Sequence, residues 1–206
     1  MSTRNASDSQ SIEDINNSFY NASGGSFDKI PFEPILTDLL LKYKVGNKIL
    51  EIGSGAGALA SWLTEQDCNV TCIEPAQALA EKAREKGLEV LVTTIQDFNS
   101  DRLYDDIIAI SSLIHVSKSD LPLQIKKISK LLNSNGIFFI SLIEGDSEGL
   151  EDPTNVGKLR YFSKWSESEM DALLSPYFNI LENHRIYNKK MDRVFFLRVY
   201  VLKDSP

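Results

Sequence analysis

Cysteine, histidine and long apolar runs are scarce in this chain of 206 residues, and each scarcity removes a class of protein. The two cysteines are Cys68 and Cys72. On one strand they would stand about 13 Å apart at ~3.3 Å per residue, beyond the reach of a disulfide. With only His115 and His184 beside them they fall short of a zinc-ligand pattern, so no metal is expected. No apolar run approaches the ~20 residues that cross a bilayer. Met1 to Ser18 lack the apolar core of a signal peptide, so a cytoplasmic, reduced protein without membrane attachment is expected. Cations are also in deficit: 22 Lys and Arg stand against 29 Asp and Glu, a formal charge of −7. A nucleic-acid backbone needs a surplus of Lys and Arg on one face, so no nucleic-acid partner is expected.

What is present suits one globular domain, with 42% hydrophobic and 25% charged residues. Residues 1–29 open as a Ser-, Asn- and Asp-rich stretch, disordered to about residue 15, and read as a flexible arm or lid; 30–206 read as the folded domain. Pro31 and Pro34 open a helix with Ile35, Leu36, Leu39, Leu40 and Tyr43 on one stripe. Strands are expected at Lys48–Ile52, Asn69–Glu74, Glu89–Thr93, Asp106–Ile110 and Ile137–Ile143. Helices are expected between them from about Ala58, from Gln77 to Lys86, and from Asp120-Leu121-Pro122 to a stop at Asn135-Gly136. Ser166 to Glu169 has the form of a capping box and starts another helix. The last two strands, Phe178–Ile186 and Arg193–Leu202, are joined closely enough for a hairpin, so the final one runs antiparallel. Alternating βα units closed by a hairpin define an α/β fold with a doubly wound, mostly parallel sheet and helices on both faces.

After the first strand comes Gly53-Ser54-Gly55-Ala56-Gly57, a turn in which missing Cβ atoms let a ligand approach the backbone. Glu74 ends the second strand, where a carboxylate can accept from both hydroxyls of a ribose. An adenosine-containing cofactor across these strand ends is therefore expected. Gly53, Gly55 and Ala58 also satisfy G-x-G-x-x-G/A, so the glycines alone leave an NAD-dependent oxidoreductase open.

Ile49-Leu50-Glu51-Ile52-Gly53-Ser54-Gly55-Ala56-Gly57 resembles the first motif of class I, Rossmann-like S-adenosylmethionine-dependent methyltransferases, an acid followed by G-x-G-x-G. The resemblance continues through Ile73-Glu74-Pro75, Asp105-Asp106-Ile107-Ile108 and Leu131 to Phe138, and spans about Ile30 to Leu202. It implies a seven-stranded sheet of order 3-2-1-4-5-7-6 with the last strand antiparallel, and S-adenosylmethionine as cofactor with S-adenosylhomocysteine as product. It also implies a cofactor site formed by Glu51, Gly53, Ser54, Gly55, Gly57, Glu74 and Pro75. The loop after strand three, Thr94, Ile95, Gln96 and Asp97, would frame the adenine, and Ser111 would follow strand four.

Acceptor groups come from the loops after strands four and five. After strand four the chain reads Ser111-Ser112-Leu113-Ile114-His115, without the Asn/Asp-Pro-Pro-aromatic signature of enzymes acting on bases or glutamine side chains. Segments 144–149 and Leu159 to Phe162 resemble a subgroup acting on small molecules, which implies a small-molecule acceptor with an O, N or S nucleophile. His115, with an unperturbed pKa near ~6.5, is a candidate base; the alternative is a packed histidine on a backbone carbonyl. Arg160 is a candidate for binding an acceptor carboxylate, the alternative being a surface pair with Glu148 or Glu151. Tyr161 is a candidate for stacking or hydrogen bonding. Phe19, Tyr20 and Phe27 form a lid or merely anchor the arm. A monomer or weak homodimer is expected, and a silent cofactor-binding regulatory protein stays open beside the enzyme.

Overall fold

The computed structural model describes residues 11–23, 34–189 and 191–204. The expectations for residues 1–10, for Phe27 and for a helix opening at Pro31 lie outside them. Helix α1 spans Ile12–Ser23 and α2 Pro34–Tyr43. Strand β1 (Lys48–Ile52), α3 (Ala58–Glu65), β2 (Asn69–Ile73), α4 (Gln77–Glu85) and β3 (Glu89–Leu91) follow. After β4 (Tyr104–Ala109) come a 3-10 turn at Leu113–His115, α5 (Leu121–Leu131) and β5 (Leu132–Glu144). The chain ends with β6 (Glu148–Glu151), β7 (Arg160–Trp165), α6 (Glu167–Leu174), β8 (Phe178–Asn188) and β9 (Arg193–Leu202).

The main path through the sheet is β3-β2-β1-β4-β5-β9-β8. This is the expected seven-strand order, with β9 antiparallel to both neighbours. Central strands are apolar on both faces because helices cover both. Neighbouring residues accordingly divide between two cores. Leu50, Ile107 and Phe138 pack with α5 and α6, while Ile49, Ile108 and Phe139 pack with α2, α3 and α4. The capping box forms as expected: Ser166 Oγ accepts from Glu169 N, and the Glu169 side chain accepts from Ser166 N.

Four expectations need correction, one of them the end of α5, which stops at Leu131 and gives way to β5 before Asn135-Gly136. The stretch 12–15 is the first turn of a helix, not a loose arm; Asn16 and Phe19 on that helix are buried. The third strand stops at Leu91, two residues early. The segment after β5 is no simple connection: β6 and β7 form an antiparallel hairpin, and β7 attaches in parallel to the last two residues of β5. That hairpin carries Arg160 and Phe162 to the mouth of the sheet.

Candidate active site

A cleft of about 660 Å³ opens at the carboxyl ends of β1, β2 and β4, where strand order reverses around β1. The glycine turn makes one wall. Gly53, Gly55 and Gly57 all have positive φ, but their absent side chains point to different places. A Cβ on Gly53 would stand 2.3 Å from Ser112 Cβ, and one on Gly57 would stand 2.3 Å from Leu88 Cδ1 and 2.8 Å from Ala83 Cβ. A Cβ on Gly55 would meet nothing within 4 Å. Gly53 and Gly57 thus serve close packing, and Gly55 is bare toward the cleft. Gly57 does not line the cleft.

Two buried carboxylates face this turn. Glu74, just past the end of β2, is only 6% exposed. Its Oε2 accepts from Gly55 N at 2.9 Å and its Oε1 from Ala76 N at 2.8 Å, so it fastens the glycine turn to the start of α4. Burial raises its pKa, opposed by these two N–H groups. Glu51 is also 6% exposed, and its Oε2 has no hydrogen-bond partner among the described residues. Burial, reinforced by the charge of Glu74, pushes its carboxyl up to about 8.

Opposite the glycines, Pro75, Thr94, Ile95, Gln96 and Ser111 line the cleft, as does Ser54. Asp97 does not: its Oδ2 accepts from Thr94 Oγ1 at 3.1 Å and closes the turn beneath the cleft. Ser111 holds a left-handed φ of 54° and donates its N–H to Ser141 Oγ at 2.7 Å, which fixes the exit of the chain from β4.

The other end of the cleft gathers residues from three elements. His115 Nδ1 lies 2.6 Å from the Tyr161 carbonyl oxygen, and Nε2 lies 2.7 Å from the Tyr20 hydroxyl. A carbonyl only accepts, so Nδ1 carries the hydrogen and Nε2 accepts from Tyr20. Burial, with the charge of Arg160 adding to it, lowers His115 to about 4. Arg160 is 5% exposed and lies over the rings of Phe19 (4.2 Å) and Phe162 (5.0 Å). It pairs with neither Glu148 nor Glu151, which rules out the surface-pair alternative. Glu151 pairs with Lys164 and Arg193, and Glu148 accepts from Lys118 N and the Tyr161 hydroxyl. The Tyr161 side chain therefore leaves the cleft for the β6–β7 hairpin, and its expected contact with an acceptor is corrected. Strand alternation explains this, since Arg160 and Phe162 take the cleft face.

Helix α1 crosses the cleft. Besides the Tyr20 contact, Asn16 Oδ1 accepts from Tyr161 N and Asn21 Oδ1 accepts from Ala78 N, so α1 ties β7 to α4. Asn16, Met191 and Phe195 line the cleft without having been singled out in the sequence. Nothing local marks them: they become neighbours only through the hairpin and the folded-back helix.

The comparisons with known proteins agree with this architecture. A family profile described as a methyltransferase domain matches residues 30–187. An uncharacterised methyltransferase of Bacillus cytotoxicus is 30% identical over 172 residues, covering 82% of this chain and 79% of that protein. The ubiquinone biosynthesis O-methyltransferase of Rickettsia typhi is 29% identical over 156 residues, covering 69% of this chain and 63% of that protein. The chain thus spans less than two thirds of the length of that relative. The crystal structure of the Burkholderia thailandensis 1,6-didemethyltoxoflavin-N1-methyltransferase, with 1,6-didemethyltoxoflavin and S-adenosylhomocysteine bound, superposes with a TM-score of 0.74. The two are 20% identical, with 91% of this chain and 87% of that one covered. A doubly wound sheet with a glycine turn and two acids at its switch point is the frame of a methyltransferase domain. The chain belongs to that family.

Proposed function

We propose that the protein transfers a methyl group from S-adenosylmethionine to a small-molecule acceptor and leaves S-adenosylhomocysteine. The observation that carries this reading is the pairing of a bare Gly55 with two buried acids, one of which has an oxygen unpartnered among the described residues. Each Glu74 oxygen uses one lone pair on a backbone N–H and keeps another for a ribose hydroxyl. Glu51 suits the cationic methionyl end of such a cofactor. Glu74 would serve the ribose of either cofactor, so the acid Glu51 beside the glycine turn is what favours the methyl donor over the nicotinamide reading. Ser54, Pro75, Thr94, Ile95, Gln96 and Ser111 complete the cofactor cradle in this reading.

When bound, the cofactor supplies a sulfonium methyl that is already electrophilic, so alignment of the acceptor is the chain's main task. His115 stays neutral at working pH, and its free lone pair is engaged by Tyr20. We therefore assign it to positioning Tyr20 and the acceptor end of the cleft, not to free proton abstraction. Helix α1 acts as a lid over both ligands, working on one small molecule in a monomer or weak homodimer. No described helix is long and apolar enough to cross a membrane.

Titration calorimetry tests the reading. S-adenosylhomocysteine is expected to bind in the micromolar range, about −8 kcal/mol, and NAD far more weakly. Tighter binding of NAD overturns it, and binding without methyl transfer to any acceptor identifies the silent regulatory form.

A further inference from the structure

Among the described residues that line the cleft, Arg160 is the only Lys or Arg. It is 5% exposed, its Nε has no hydrogen-bond partner, and no carboxylate among the described residues lies within ion-pair distance of it. Its one polar contact among the described residues is a long one, from Nη1 to the Tyr20 hydroxyl at 3.4 Å. A buried cation without a counter-charge is costly, and the cost is removed when a ligand brings the anion. The guanidinium is packed among the rings of Phe19, Tyr20 and Phe162, so it is held in place without being neutralised.

We propose that the methyl acceptor carries a carboxylate on an aromatic body, and that Arg160 is the specificity residue that receives the carboxylate. This rests on the methyltransferase reading above. The planar fork of one guanidinium matches a carboxylate bidentately. A phosphate dianion would meet the same single cation in a cleft that also holds Glu13, Glu51, Glu74 and Asp120. Asn16 lines the same end and, with its Oδ1 on Tyr161 N, keeps its amide N–H groups for a second contact. Tyr20, Phe162, Met191 and Phe195 supply an apolar, largely aromatic wall for the rest of the molecule. A carboxylate could also come from the amino-acid end of the cofactor. Arg160, however, stands on β7, which is tied to the turn after β4 through His115, while Glu74, read as the ribose contact, follows β2, with β1, β4 and β5 between the two strands.

The test titrates the S-adenosylhomocysteine-loaded protein with matched acids and methyl esters: benzoate, phenylacetate and indole-3-carboxylate, each against its ester. At least one acid is expected to bind about tenfold or more tighter than its ester. Arg160→Gln is expected to erase that preference and Arg160→Lys to keep part of it, with melting curves showing both variants folded. If no acid binds at about 10 mM, or if the preference survives in Arg160→Gln, the proposal is overturned. It is also overturned if Arg160→Gln weakens S-adenosylhomocysteine but not 5′-methylthioadenosine, which lacks the amino-acid end, because the carboxylate seat would then belong to the cofactor. Failure of the unaltered protein to bind S-adenosylhomocysteine sinks the methyltransferase reading instead. The same acid and ester titration on unloaded protein then still decides the anion site.

Discussion

Three glycines that look equivalent in the string Gly53-Ser54-Gly55-Ala56-Gly57 have separable jobs. At Gly55 a side chain has room in the protein but intrudes on the cleft, and its φ of 56° adds strain of roughly 1–2 kcal/mol for an L residue. Gly55→Val is therefore expected to leave a folded protein that no longer binds S-adenosylhomocysteine. At Gly57 the added carbon drives into Leu88 and Ala83, so Gly57→Val is expected to lose the fold itself. Melting curves beside calorimetry separate the two. A Gly55→Val protein with undiminished affinity would show that the turn only connects β1 to α3. The sequence marks this turn well, because strand, glycines, helix and a later acid are contiguous. It does not show which glycine faces the ligand, since that depends on where α4 packs. Glu74 is similar: its position was legible, but its burial and its tie to Gly55 N depend on the pairing of β1 with β2.

Among elements, those with a strong period were legible and those organised by distant partners were not. Strand β1 and strand β9 fall where apolar patterning puts them. Helix α1 escaped because Ile12–Ser23 is rich in Asn and Ser, and its inward residues include Asn16, whose burial is offset by the Tyr161 N–H. The β6–β7 hairpin escaped because Glu148–Glu151 has no apolar alternation; it is held by its pairing with β7 and by the Tyr161 hydroxyl on Glu148. A lid built from such side-chain bonds should open without global unfolding. The double variant Asn16→Ala, Tyr20→Phe removes the bonds of α1 to Tyr161 N and His115. It is expected to raise the dissociation rate of S-adenosylhomocysteine about tenfold while lowering global stability by only ~1–3 kcal/mol. Stopped-flow dissociation measures the first and urea denaturation the second. An unchanged dissociation rate would mean that α1 is a fixed wall.

For the molecule as a whole, pH and ligand meet at Glu51. Burial pushes its carboxyl from 4.5 up to about 8 and that of Asp106 from 3.8 up to about 6, while it lowers His115 from 6.5 to about 4. Within its window Glu51 keeps in the folded chain a proton that the unfolded chain has released, so stability falls as pH rises. Asp106 acts in the same sense up to about 6. His115 acts in the opposite sense up to 6.5, because there the unfolded imidazole holds the extra proton. Between about pH 4.5 and 6 the two acids outweigh the histidine and leave a net fall of about 1.4 kcal/mol per pH unit, and from about 6 to 6.5 Glu51 and His115 cancel. From about pH 6.5 to 8 the histidine no longer contributes, and Glu51 leaves a fall of about 1.4 kcal/mol per pH unit. The ligand-free protein is thus expected to lose roughly 2 kcal/mol across that window in urea titrations, and Glu51→Gln to lose little. A cationic ligand end favours the ionised carboxylate, so S-adenosylhomocysteine should bind with release of a proton near pH 7 and more tightly as pH rises. Calorimetry in buffers of different ionisation enthalpy reads that proton directly. Binding without proton release, together with a Glu51→Gln protein that keeps the full pH slope, would place both the stability switch and the cationic contact somewhere other than Glu51.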